Sequence, residues 1–185
     1  MIEHHSPQGR IIRAALFTAI GIAVGRLMAG VPNVELVTLA VFIGGAFCGM
    51  RAGAAIGAIV MLVHSLMNPL GPAPPPLLLA QMAGCALAGF TGGLFGRRFR
   101  LAGARGALAG AAAGFAVTLV YDALTTVATA FVVLGARGFR EGVWGIAAAG
   151  IVFTAIHVGV NVALFAAAVP PALAAGRAAR AGGAG

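Results

Sequence analysis

The stretch VELVTLAVFIGGAFCGMRAGAAIGAIVMLVHSLM, residues 34–67, decides the class of fold. Only Glu35 and Arg51 are charged in it, and Arg51 divides it into two apolar runs, Val34 to Met50 and Ala52 to Met67. A helix that crosses a bilayer needs about 20 mainly apolar residues. Each run therefore reads as a membrane span, the second extending toward Asn68 to gain length. Working outward, charges and Pro/Gly clusters isolate four more spans: Ile11 to Gly30, Leu77 to Phe95, Ala104 to Leu134 and Val143 to Ala168. The span from Ala104 is long for one helix and too short for two, so it reads as a tilted or overlong helix.

Composition points the same way. The 185 residues are 61% hydrophobic and 9% charged, with a mean hydropathy of +1.02. A soluble domain carries about a quarter charged residues, and a disordered chain has few apolar ones, so both classes are excluded. The expectation is an all-α integral membrane protein: a tail over residues 1–10, a single six-helix transmembrane domain over 11–173, and a second tail over 174–185. The net charge of +8 comes from twelve arginines and no lysine. They are not interleaved with exposed aromatics as a nucleic-acid surface requires, so no nucleic-acid partner is expected.

The arginines set the orientation instead. An even number of spans puts both termini on one side. On that side lie Arg10, Arg13, Arg51, Arg97, Arg98, Arg100, Arg105, Arg177 and Arg180; the other side has only Arg26, Arg137 and Arg140. Cytoplasmic loops are the basic ones, so both termini are expected in the cytoplasm. Arg10 and Arg13 precede an apolar run as in a signal peptide, but Leu27-Met28-Ala29 is wrong for a small-x-small cleavage site, and the first span is expected to be retained. Cys48 and Cys85 lie in apolar runs and form no CxxC pair, which supports neither a disulfide framework nor a metal site. Glycines recur at four-residue spacing (Gly21/Gly25, Gly45/Gly49, Gly53/Gly57, Gly89/Gly93), a pattern that lets helix backbones pack closely within a bundle.

Polar side chains inside spans are costly and mark functional sites. Arg26 is near the outer end of the first span, Asn33 and Glu35 precede and open the second, and His64, Ser65 and Asn68 end the third. Gln81 is one turn into the fourth span. Tyr121, Asp122, Thr125, Thr126 and Thr129 fall in the outer half of the fifth, and His157 and Asn161 are same-face neighbours in the sixth. Nearly all lie at or above the midplane on the outer side, as a pocket that captures a polar solute from outside requires; a through-going ion path needs polar groups in both halves. Each has a structural alternative. His64 can bond Asn68 or a carbonyl, Asp122 can pair with Tyr121 or Arg26, and the threonines can bond their own i−4 carbonyls. The proline-stiffened segment from Asn68 to Pro76 reads as a wall or lid, or as a rigid hairpin.

This pattern resembles the substrate-binding S components of energy-coupling factor (ECF) vitamin transporters. Ala15-Leu16-Phe17-Thr18-Ala19, continued by Ala23, resembles the Ala-x-x-x-Ala row with which that family docks on its coupling subunit. Pro32-Asn33-Val34-Glu35-Leu36-Val37-Thr38, Asn68-Pro69-Leu70-Gly71-Pro72 with Gln81-Met82, Tyr121-Asp122-Ala123-Leu124-Thr125 and His157-Val158-Gly159-Val160-Asn161 resemble, in order, segments of one branch of it. The resemblance implies a bundle in a bacterial or archaeal cytoplasmic membrane. It implies a vitamin or cofactor precursor held by Asn33, Glu35, His64, Asn68, Gln81, Tyr121, Asp122, Thr125, His157 and Asn161. It also implies a coupling subunit, docked at Ala15, Ala19 and Ala23, and two cytoplasmic ATPases. The chain has no GxxxxGK[ST] loop and is expected to be the specificity subunit rather than an enzyme or motor, with no cofactor or metal of its own. The Met1-Ile2-Glu3-His4-His5 start lacks the Met-His opening of metal-specific members. The Gly71-Pro72 loop resembles members linked to cobalamin-type ligands, with Ala73 and prolines where those have aromatics; riboflavin, thiamine, biotin, folate or a nucleobase remain open.

Two other classes are weighed. A self-sufficient secondary transporter needs polar groups in the cytoplasmic half or inverted repeats with broken helices. A rhomboid-like serine protease needs Ser65 and His157 within reach and an oxyanion hole, and no GxSx turn surrounds Ser65.

Overall fold

The computed structural model describes residues 7–28, 36–69, 71–98 and 103–182. Five helical elements make up the fold: α1 (Pro7–Met28), α2 (Val37–Cys48), α3 (Met50–Leu66), α4 (Pro75–Arg98) and α5 (Gly103–Gly182). No strand occurs among the described residues. Gly135 interrupts α5 with φ 65° and ψ 176°, so it consists of two helices, residues 103–134 and 136–182, called here the first and second arms. The described residues thus form six helical segments. α1, α4 and α5 are long and apolar enough to cross a membrane, while α2 and α3 are shorter apolar helices.

α2 is central. It packs against α1, α3, α4 and α5, and its run VTLAVFIGGAFC carries no charge. Val37, Val41 and Phe42 are wholly buried there. One side of α2 joins Ile56, Val60, Met61 and Cys85 in a cluster with α3 and α4; the other joins Ala88, Ala113, Val117, Phe165, Val169 and Leu173 in a cluster with α4 and both arms of α5. Outward, large apolar side chains such as Leu27, Leu108, Phe153 and Trp144 are exposed, the arrangement expected of a surface facing lipid.

The glycine spacing works inside the bundle. A Cβ on Gly53 or Gly89 would run into the carbonyl of the other, one on Gly45 would meet the Gly89 carbonyl, and one on Gly57 would meet that of Cys85. On α1, a Cβ at Gly25 would lie 2.9 Å from both Val37 Cγ2 and His64 Nδ1. Small residues bring these backbones to direct contact, as in lipid-embedded bundles.

Two one-residue reversals shape the chain. Gly49 (φ 94°, ψ 167°) separates α2 from α3, and Gly135 separates the arms of α5. Both conformations are in practice open to glycine alone. The arms run antiparallel: a Cβ on Gly110 would meet the Phe165 carbonyl, and one on Gly114 would be 2.8 Å from Asn161 O. The ends of the bundle are therefore a Gly49 end, which also holds the contact of Gly176 with Phe47, and a Gly135 end, near the connection from α3 to α4.

The second arm differs from the expected sixth span at both ends. It begins at residue 136, because Arg137, Arg140 and Glu141 sit on exposed helix rather than in a loop. It also continues through Pro170 and Pro171 to Gly182. Each proline removes one backbone donor, yet Val169 and Leu173 on either side are anchored in the core and hold the helical path.

Candidate ligand-binding site

The first arm carries Thr118, Tyr121, Asp122 and Thr125; the second carries His157 and Asn161. Thr118 and Asp122, like His157 and Asn161, are four residues apart, so each pair lies on one helix face. His157 Nδ1 and Asp122 Oδ1 share a hydrogen bond of 2.8 Å, and the two side chains are only 11% and 13% exposed. Tyr121 stands edge-on to the imidazole, ring centroids 6.2 Å apart, and points its hydroxyl at Met61 Sδ, 3.9 Å away on α3. A Cβ on Gly84 of α4 would lie 2.7 Å from the Tyr121 ring, so only glycine leaves room for it.

One turn closer to the Gly49 end the burial becomes complete. Asn161 and Thr118 have no exposed surface. Both carboxamide atoms of Asn161, the Thr118 hydroxyl and the second carboxylate oxygen of Asp122 are buried without a hydrogen-bond partner. The register places Thr118 opposite Asn161, since Asp122 meets His157 on one side of that level and Gly114 meets Asn161 O and Phe165 on the other. Beyond it the interior is apolar. Phe42 packs edge-on against Phe165, centroids 5.0 Å apart, and against Phe95 at 5.6 Å. The polar set is thus closed off from the Gly49 end by aromatic rings.

The other expected site residues fall into a separate group near the Gly135 end. Ser65 Oγ–H donates to Gln81 Oε1 at 2.8 Å, joining α3 to α4. His64 is half-buried with Nδ1 against Gly25, Asn68 is exposed in the turn after α3, and Arg26 donates to the Met67 carbonyl. Tyr121 lies between the groups, touching residues one turn from Ser65 and Gln81. Asn33 and Glu35 lie outside the described residues. Thr125 Oγ1 bonds its own helix, to the carbonyls of Tyr121 (3.0 Å) and Asp122 (3.1 Å), which leaves the hydroxyl no free donor. Arg26 and Ser65 have taken partners other than Asp122 and His157.

Thr118 is the residue that sequence reasoning misses. Its signal is the same i, i+4 spacing to Asp122 that links Asn161 to His157, but a lone threonine in the apolar run FAVTLV reads as lipid-facing. On α1, Ala15, Ala19 and Ala23 are exposed, on the face away from Gly21 and Gly25.

Residues 9–169 match the family described as ECF transporter, substrate-specific component. The match covers most of the chain, which therefore belongs to this family: it is a membrane protein and a substrate-binding subunit of an ECF transporter. No curated protein and no solved structure matches the chain.

Proposed function

We propose that the chain captures a vitamin or cofactor precursor, cobalamin-type compounds among them, from outside the cell and hands it inward with a coupling subunit and two cytoplasmic ATPases. The observation that supports this most is the buried polar set between the arms of α5, centred on the Asp122–His157 hydrogen bond and closed at one end by Phe42 and Phe165. A carboxylate, an imidazole and a carboxamide are too costly in hydrocarbon to be gathered there without a polar guest. Tyr121, Gln81, His64 and Asn68 extend the site toward its mouth, and Asn33, Glu35 and Thr125 complete the proposed ligand set.

In this reading α1 to α4 and the two arms of α5 are six spans, both termini are cytoplasmic, and the host membrane is a bacterial or archaeal cytoplasmic membrane. The arginine asymmetry supports that orientation. Exposed Trp144 beside Arg137 and Arg140 then forms an interfacial anchor at the outer surface. α2 has 12 residues, about 18 Å of helix, and fits as an inner segment sheltered by its neighbours. The exposed row Ala15, Ala19 and Ala23 is the proposed docking face for the coupling subunit.

The test is calorimetric titration of the detergent-purified protein, without nucleotide, with cobalamin, riboflavin, thiamine, biotin and folate. One compound is expected to bind, and Asp122→Ala and His157→Ala each to weaken it at least about tenfold. If none binds, and neither substitution alters vitamin uptake in cells, the assignment is overturned.

A further inference from the structure

Resting on that reading, the chemistry of the inner end of the site narrows the ligand. We propose that Thr118 is a ligand-binding residue, and that Thr118, Asn161 and Asp122 together read the edge of an uncharged nitrogen heterocycle bearing a cis-amide, a lactam or ureido N–H/C=O pair.

The argument is an inventory of donors and acceptors. Asn161 has no exposed surface, and both its carbonyl oxygen and its amino group are buried without partners. A carboxamide offers one acceptor and two donor hydrogens side by side in a plane. Its complement is a group presenting a donor and an acceptor at the same spacing, which is the edge of a cyclic amide; the same bidentate logic lets Asn and Gln read the edge of a base. Thr118 adds a hydroxyl that can donate or accept, also fully buried and unpartnered. Asp122 Oδ2 adds an acceptor, since its Oδ1 is already taken by His157.

Charge narrows the class further. Thr118, Asp122, His157 and Asn161 include no arginine, and Arg26 spends its guanidinium on the Met67 carbonyl. His157, the one basic side chain of the cluster, is already bonded to Asp122, its one acidic side chain. A phosphate or carboxylate at this depth would be desolvated next to Asp122 with no arginine of the cluster to meet it, an arrangement that low polarity disfavours. An apolar ring without polar edge atoms fails for the opposite reason, leaving Asn161 and Thr118 unpaired. A planar heterocycle with an amide edge satisfies each group, and Phe165 and Phe42 provide the apolar floor below it. Any anionic tail of the ligand lies toward the Gly135 end.

The test titrates the full-length protein in detergent with lumiflavin, lumazine and biotin, and with the N-methylated counterpart of whichever binds. Citrate and pyridoxal phosphate serve as anionic comparisons. At least one amide-edged probe is expected to bind, blocking its N–H to weaken it at least about a hundredfold, and Thr118→Val and Asn161→Leu each to weaken it at least about tenfold with unchanged melting temperature. Should Asn161→Leu fail to fold, Thr118→Val, which preserves shape, decides alone. Binding of only the anionic probes, or binding indifferent to Thr118→Val and to N-methylation, overturns the inference; so does the absence of any binding. The site itself is judged separately. If Asp122→Ala abolishes uptake of some other vitamin, the site stands and the ligand class falls, whereas indifference to Asp122→Ala and His157→Ala removes both.

Discussion

Asp122 and His157 are 35 positions apart in the chain and meet at 2.8 Å because the arms of α5 fold back on each other. A hydrogen bond to a carboxylate contributes about 1.5–3 kcal/mol, and removing one partner of a buried pair leaves the other unsatisfied. His157→Leu is therefore expected to lower stability by about 2–4 kcal/mol. The double variant His157→Leu/Asp122→Leu should recover part of that loss, giving a coupling energy above about 1 kcal/mol in a cycle of unfolding measurements in detergent. At this scale the sequence was informative about which residues are polar at depth and less so about what each one bonds. Thr125 bonds its own helix, the alternative left open for it, whereas Asp122 chose His157 over Arg26 because α1 packs on α2 and α3 and not against α5. That choice depends on which helices adjoin, which periodicity within a single helix does not encode.

Among the elements, the two single-glycine reversals carry the clearest energetic signature. Nothing lies within 4 Å of a Cβ built on Gly135, so Gly135→Ala meets no clash, only the backbone penalty of its positive φ. That penalty is about 1–3 kcal/mol, and the expected result is a matching loss of stability in thermal unfolding. Gly150→Ala is the control: it also has open space, but it sits in regular helix and should gain up to about 1 kcal/mol. The boundary at Leu134 was legible because the apolar run stops there. The start of the second arm was not, since Arg137, Arg140 and Glu141 mark a change of surroundings and not a change of backbone. Helix propagation through Pro170 and Pro171 was likewise hidden, because tertiary anchoring by Val169 and Leu173 overrides local propensity.

At the scale of the whole molecule, labelling reads orientation and co-purification reads assembly. With Cys48 and Cys85 replaced by Ala, a membrane-impermeant maleimide added to intact cells is expected to label Arg140→Cys and not Arg177→Cys; the reverse pattern would invert the proposed topology. Ala19 is exposed on α1, away from the helix's buried glycines. Ala19→Trp should therefore leave ligand binding and melting temperature unchanged while reducing recovery of the coupling subunit in a pull-down; equal recovery would move the docking face elsewhere. The membrane class of the molecule was readable from composition alone, since so few charged residues leave no other solvent for its surface. The glycine rows were also readable as internal packing, and their carbonyl contacts among α2, α3 and α4 bear this out.

Those glycine contacts divide the molecule into a part that holds the scaffold and a part that carries the polar set. Backbone meets backbone among α2, α3 and α4, where adding a single methyl group at Gly53 or Gly89 is forbidden, and between the arms of α5 at Gly110 and Gly114. Thr118, Asp122, His157 and Asn161 all belong to α5, which meets the α2–α4 block through Ala113, Val117, Phe165, Val169 and Leu173. Substitutions that retune recognition therefore fall outside the glycine contacts that hold α2, α3 and α4 together. Recognition and scaffold are thus carried by different parts of one chain, and a change of guest leaves the α2–α4 block as it stands.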